Sequence, residues 1–150
     1  MELFGIPVHP LVVHAAVVVV PLVALGTLIV AFWEKARRRF GWLLTVFSVG
    51  AVGSTILAAV SGQELFESLG EDPSSTLKGH MSWGKVAFWP ALAMAVALVA
   101  MMLTTRGRDP EQRPPRLYWV MAVIAASAAV ASLVLIMMVG HSGATAVWTE

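Results

Sequence analysis

The chain has 150 residues, 58% of them hydrophobic and 13% charged, with a mean hydropathy of +0.79. Soluble domains average roughly 45–50% apolar and about 25% charged, so this composition points to lipid as the main solvent. The net charge of +1, with no basic stripe outside short loops, favours no nucleic-acid partner; the lack of cysteine excludes disulfides, thiolate metal sites, haem attached through Cys-x-x-Cys-His and Cys-ligated iron–sulfur clusters.

A spanning helix needs about 20 mostly apolar residues, and four segments qualify: 11–33, 42–60, 80–103 and 117–139. They predict an all-α fold, a single-domain integral membrane four-helix bundle. The first span follows Pro10, which suits a first helical turn and leaves His9 at the rim, with His14 about one turn inside. Its leader, residues 1–7, has no basic segment, and a basic cluster follows the apolar run instead. That is the pattern of a reverse anchor rather than a cleaved secretory signal. Pro21 here and Pro90 in the third span predict local kinks.

The first connection, Glu34-Lys35-Ala36-Arg37-Arg38-Arg39, is strongly cationic. In the second span Gly50, Ser54 and Ala58, with Gly53 beside them, form a small-residue stripe expected to be a helix–helix contact face. The middle connection is acidic (Glu64, Glu67, Glu71 and Asp72 against Lys78), and 63–69 suits an interfacial helix. The third span extends backward from Val86 through Trp83 to His80, and Lys85 near its start can snorkel outward. The third connection carries Arg106, Arg108, Arg113 and Arg116 against Asp109 and Glu111. The fourth span offers Ala125 with Ala129 and Ala128 with Ser132 as contact pairs, then Gly140-His141-Ser142-Gly143, which reads as a helix end opening into a turn. Trp33, Trp42, Tyr118 and Trp119 are expected at the inner interfacial belt, and Trp83 and Trp148 at the outer one.

Cationic loops stay cytoplasmic. The first and third connections are therefore expected inside, the second outside, and both termini outside. Measured at about 1.5 Å per residue from the cytoplasmic end of its own helix, His14 lies roughly 30 Å up and His9, His80 and His141 roughly 36–38 Å. All four histidines then share a layer near the outer face, drawn from three helices. Imidazole suits zinc, copper, iron and haem iron, and ionisable groups in a membrane are usually functional. The plainer alternative is that they are interfacial polar residues capping helix ends or binding water. His9, His14, His80 and His141 are thus the candidate cofactor-binding and metal residues. His14, facing the bundle, is expected to be the better ligand of the N-terminal pair, since five residues separate it from His9 and turn the two about 140° apart.

The opening Gly5-Ile6-Pro7-Val8-His9-Pro10-Leu11-Val12-Val13-His14 resembles the signature G-x-P-x-H-P-x-x-V-H of a bacterial four-helix membrane family known as domain of unknown function 2231. Gly140-His141-Ser142-Gly143-Ala144 is similar to that family's terminal Gly-His-x-Gly-Gly element, with Ala in the last place, and His80 matches its histidine before the third helix. Ala15-Ala16 stand where an aromatic residue and a proline are expected. Some relatives carry Rieske-type iron–sulfur domains, and the family is distantly similar to b-type membrane cytochromes. The resemblance implies a protein of the bacterial cytoplasmic membrane that transfers electrons with haem b.

The leading expectation is a small b-type cytochrome, the electron-transfer component of an oxidoreductase. Haem would be held near the outer face by His14 with His80 or His141, His9 lying behind them, and electrons would pass to or from an outer-side redox protein or quinone. A histidine-ligated copper or zinc site is the alternative. A cofactor-free accessory subunit of an oligomer or larger membrane complex is the third reading. No nucleophile–base arrangement supports a hydrolase, and no charge near the bilayer midplane marks a transport path.

Overall fold

The computed structural model describes residues 2–3, 6–68, 74–109 and 111–148. A two-residue antiparallel ladder, β1 (Glu2–Leu3) with β2 (Ile6–Pro7), precedes four helices: α1 (Val8–Phe32), α2 (Glu34–Ser68), α3 (Ser75–Thr105) and α4 (Arg116–Trp148). All four are long and apolar enough to cross a membrane. The expected all-α four-helix architecture is therefore the observed one. Glu71 and Asp72, part of the acidic connection, lie outside the described residues.

Consecutive helices form antiparallel hairpins. Gly26 packs on Leu44 near one end of the α1–α2 pair while His9 meets Ser61 at the other. α1 also packs on α4 and α2 on α3, leaving α1 and α3 diagonally opposed. Both hairpins begin and finish at the same end of the bundle. That histidine end faces away from an arginine end, where the α1–α2 and α3–α4 connections lie.

The packing is inverted relative to a soluble protein. The core is small: Ala24, Ala51, Ala91, Ala122, Ala125 and Ala129 are fully buried, whereas Val46, Trp89 and Met137 are 69%, 65% and 72% exposed. Lipid tails are as apolar as leucine, so helices gain by close backbone approach rather than by burying bulk. Several hydroxyls on the contact faces satisfy themselves within their own helix, whereas the buried Ser132 hydroxyl has no partner among the described residues. Thr27 donates to the Val23 carbonyl, Thr45 to that of Gly41 and Ser48 to that of Thr45, at 2.7–2.8 Å.

Four expectations need correction. The cationic run 34–39 is not a loop but the first turns of α2, with only Trp33 between α1 and α2. Arg38 pairs with Glu34 one turn back at 2.8 Å, and the backbone bond from Arg37 N–H to the Trp33 carbonyl carries helical pairing across the break. The Gly50/Gly53 face is not a helix contact: a methyl group added at either would meet nothing within 4 Å. The buried face of α2 is instead Gly41, Thr45, Ser48, Ala51 and Thr55. Helix α4 does not end at Gly140 but runs on to Trp148. Trp33, Trp42, Trp83 and Trp119 are exposed as expected, but Tyr118 is fully buried. Its hydroxyl donates to the Ala31 carbonyl at 2.6 Å and accepts from Arg37 Nη1 at 2.6 Å, with that guanidinium 4.5 Å from the ring centre.

Candidate functional site

His9 and His80 meet at the histidine end. Each stands near the start of the first helix of its hairpin and leans on the end of the second. His9 Nδ1 lies 3.1 Å from the Ala58 carbonyl and 3.2 Å from Ser61 Oγ. His80 Nδ1 lies 3.1 Å from the Val139 carbonyl and 3.2 Å from Ser142 Oγ. The two half-sites repeat one pattern: a carbonyl, a serine three residues on, and a glycine four residues on.

That glycine is what admits the ring. A methyl group at Gly62 would stand 2.8 Å from His9 Cε1, and one at Gly143 2.9 Å from His80 Cε1. Each imidazole therefore sets its nitrogen-bearing edge close against the backbone of the neighbouring helix. Helix α4 continues through Gly143 because the residue serves side-chain contact, not termination.

The contacts decide the tautomer. A carbonyl can only accept, so Nδ1 must carry the proton in both rings. The hydroxyls agree: Ser61 spends its hydrogen on the Leu57 carbonyl at 2.7 Å, and Ser142 on that of Val139 at 3.1 Å, leaving each oxygen as an acceptor toward the ring. In the neutral ring with Nδ1–H so engaged, the lone pair is on Nε2, and neither Nε2 has a hydrogen-bond partner among the described residues. A carbonyl holding Nδ1–H is the usual means of orienting a metal-binding imidazole.

The ring centres are 6.3 Å apart with planes at 79°. Both rings line an apolar cavity of about 50 Å³, walled also by Ala16 and Ala87 and by Met81, Gly84 and Lys85. The repeat extends into these walls. Val13 and Gly84 sit four residues beyond their histidines and Ala16 and Ala87 seven beyond, while Thr55 and Ile136 sit three before the two carbonyls.

The structure does not bring His14 or His141 into this group. His14 is exposed, and its Nδ1 donates to the Pro10 carbonyl at 2.6 Å, one turn away. His141 is exposed on α4, and neither residue lines the cavity. Among the described residues no three His or carboxylate side chains converge in the manner of a metal site. Sequence reasoning missed Ser61, Gly62 and the serine and glycine roles of 142 and 143. The signal was the Ser-Gly pair recurring near the end of the second and fourth helices.

A four-helix membrane bundle with one imidazole contributed by each hairpin defines the class. The model of a family described as predicted membrane protein DUF2231 matches residues 5–150, and the chain belongs to that family. No curated protein and no solved structure matches it.

Proposed function

We propose that the protein is a small b-type electron-transfer protein in which His9 and His80 would hold one haem. The observation carrying this reading is the paired half-site: two imidazoles, each with Nδ1–H tied back, 6.3 Å apart. A metal–nitrogen bond of about 2 Å puts an imidazole centre about 3 Å from the metal, so two rings 6.3 Å apart are close enough to share one ion. A tetrahedral ion would draw them to about 5 Å and ask for further protein ligands, of which the described residues offer no third histidine or carboxylate. A macrocycle supplies four nitrogens of its own, so two protein donors suffice; bound haem would provide a one-electron couple.

The chain's own residues would then hold the imidazoles in the right tautomer, and Lys85 at the cavity wall would meet a propionate. The cavity is too small for a porphyrin, so the helix walls around the imidazole pair would have to part while His9 and His80 keep their spacing. Gly84, Ala16 and Ala87 put little side-chain bulk in the way. The arginine end is assigned to the cytoplasm by its charge, which sets the histidine site and both termini on the outer side of the bacterial cytoplasmic membrane, facing an outer-side redox protein or quinone.

One observation favours a second reading. The cavity as it stands fits a single ion, and it is lined by Met81 as well as the two histidines, residue types suited to Cu(I). Absorbance and elemental analysis of one purified sample separate the two. With adequate haem supply, the wild type should show a Soret band that H9A and H80A each lose and H14A and H141A keep. Stoichiometric copper without a Soret band selects the second reading. If His14 proves as necessary as His9, the paired site is wrong.

A further inference from the structure

The arginine end holds a second cavity, polar and about 230 Å³, between the first turns of α2 and the connection from α3 to α4. Arg37, Arg38, Arg106 and Arg108 all line it, against one carboxylate, Glu34. That carboxylate is already engaged: one of its oxygens lies 2.8 Å from both Nε and Nη2 of Arg38. Arg38 Nη1 reaches the Arg108 carbonyl at 3.5 Å, linking the two walls. Among the described residues Arg106 and Arg108 make no ion pair.

Arg37 is the telling residue. It is only 5% exposed, yet its polar partner is the neutral Tyr118 hydroxyl, and no carboxylate pairs with it among the described residues. A guanidinium withdrawn from water is costly unless an anion compensates it. The preference of cationic loops for one side of a membrane accounts for the sign of this surface. It does not account for a concavity, nor for a buried guanidinium without a carboxylate partner among the described residues opening into it.

We propose that this cavity binds a phosphate-bearing anion, gripped by the guanidinium forks of Arg106 and Arg108 over the fixed charge of Arg37. Guanidinium pairs bidentately with phosphate oxygens, and basic pockets at helix ends are where anionic lipid headgroups dock. Trp42 and Met102 give one wall an apolar side on which an acyl chain could lie. A lipid phosphodiester and free phosphate share the chemistry. The inference does not depend on the histidine site.

The test uses the full chain in uncharged detergent at fixed ionic strength, followed by tryptophan fluorescence and thermal midpoint. Phosphatidylglycerol is titrated in one arm and inorganic phosphate in the other, with phosphatidylcholine as the blank. Two double variants remove the same charge: R106Q/R108Q inside the cavity, and R113Q/R116Q on the exposed surface outside it. A saturable response is expected, weakened about tenfold or more in the cavity variant and nearly unchanged in the surface variant. Response to phosphatidylglycerol alone assigns a lipid, and response to inorganic phosphate assigns the free anion. No saturable response in either arm, or equal weakening in both variants, overturns the proposal.

Discussion

Gly62 and Gly143 separate site from stability, because a methyl group acts on them in opposite directions. Alanine is the better helix former by about 1 kcal/mol, so either substitution favours helices α2 and α4. The same methyl would stand 2.8 or 2.9 Å from an imidazole carbon and push the ring off its carbonyl. G62A and G143A should therefore retain or raise the thermal midpoint while losing bound cofactor. G140A, whose methyl would meet nothing within 4 Å, should keep both. Cofactor retained in G62A and G143A would mean that the rings are not held where they lie. The sequence shows how deep each histidine sits but not which way it faces. Depth follows from 1.5 Å per residue along the axis, whereas facing depends on helix rotation, and that is set by the alanine-lined contacts. His9, by depth the outer of its pair, therefore proves to be the one that meets His80, and His14 turns away.

Element boundaries were legible where apolar runs begin and obscure where helices outlast the bilayer. Hydropathy ends a span at the first charges, but a helix ends only when its backbone bonds do. Glu34 and Arg38 are good helix formers one turn apart, so α2 takes in the whole cationic run from its first residue. The contact face of α2 was obscure for another reason. Small residues lie on two of its sides, and only the side with Thr45, Ser48 and Thr55 is packed, its hydroxyls satisfied by carbonyls of the same helix. Tyr118 looked like an interfacial anchor because tyrosine so often is one, yet it ties α4 to the end of α1 and to Arg37 of α2. Y118F keeps the ring and removes the hydroxyl, leaving the Ala31 carbonyl and a buried guanidinium each short of a partner. A loss of about 1–3 kcal/mol is expected, read as a lower unfolding midpoint in detergent. An unchanged midpoint would mean that water replaces the hydroxyl.

At the scale of the whole molecule, the two half-sites face each other because of the way the hairpins are repeated. Both start at the histidine end, so the relation between them is a rotation about an axis along the bundle. Repeats of this parallel kind bring equivalent positions to the same side of a membrane, whereas inverted repeats distribute them to both. One histidine per hairpin thus becomes a pair at one face and nothing at the other. Which face that is should follow from charge. Lys35, Arg37, Arg38, Arg39, Arg106, Arg108, Arg113 and Arg116 gather at the arginine end, while Lys78 and Lys85 alone carry cationic side chains toward the other. Such a bias sets orientation through lysine and arginine, with acidic residues contributing little. The chain lacks cysteine, so a single introduced thiol reports its side without background. Ser75 begins α3 at the histidine end and Arg113 lies in the opposite connection, and both are exposed. In intact cells a membrane-impermeant maleimide should label S75C directly and R113C only after lysis. The reverse pattern would turn the histidine pair toward the cytoplasm, exclude an outer-side electron partner, and move the arginine cavity to the outer leaflet.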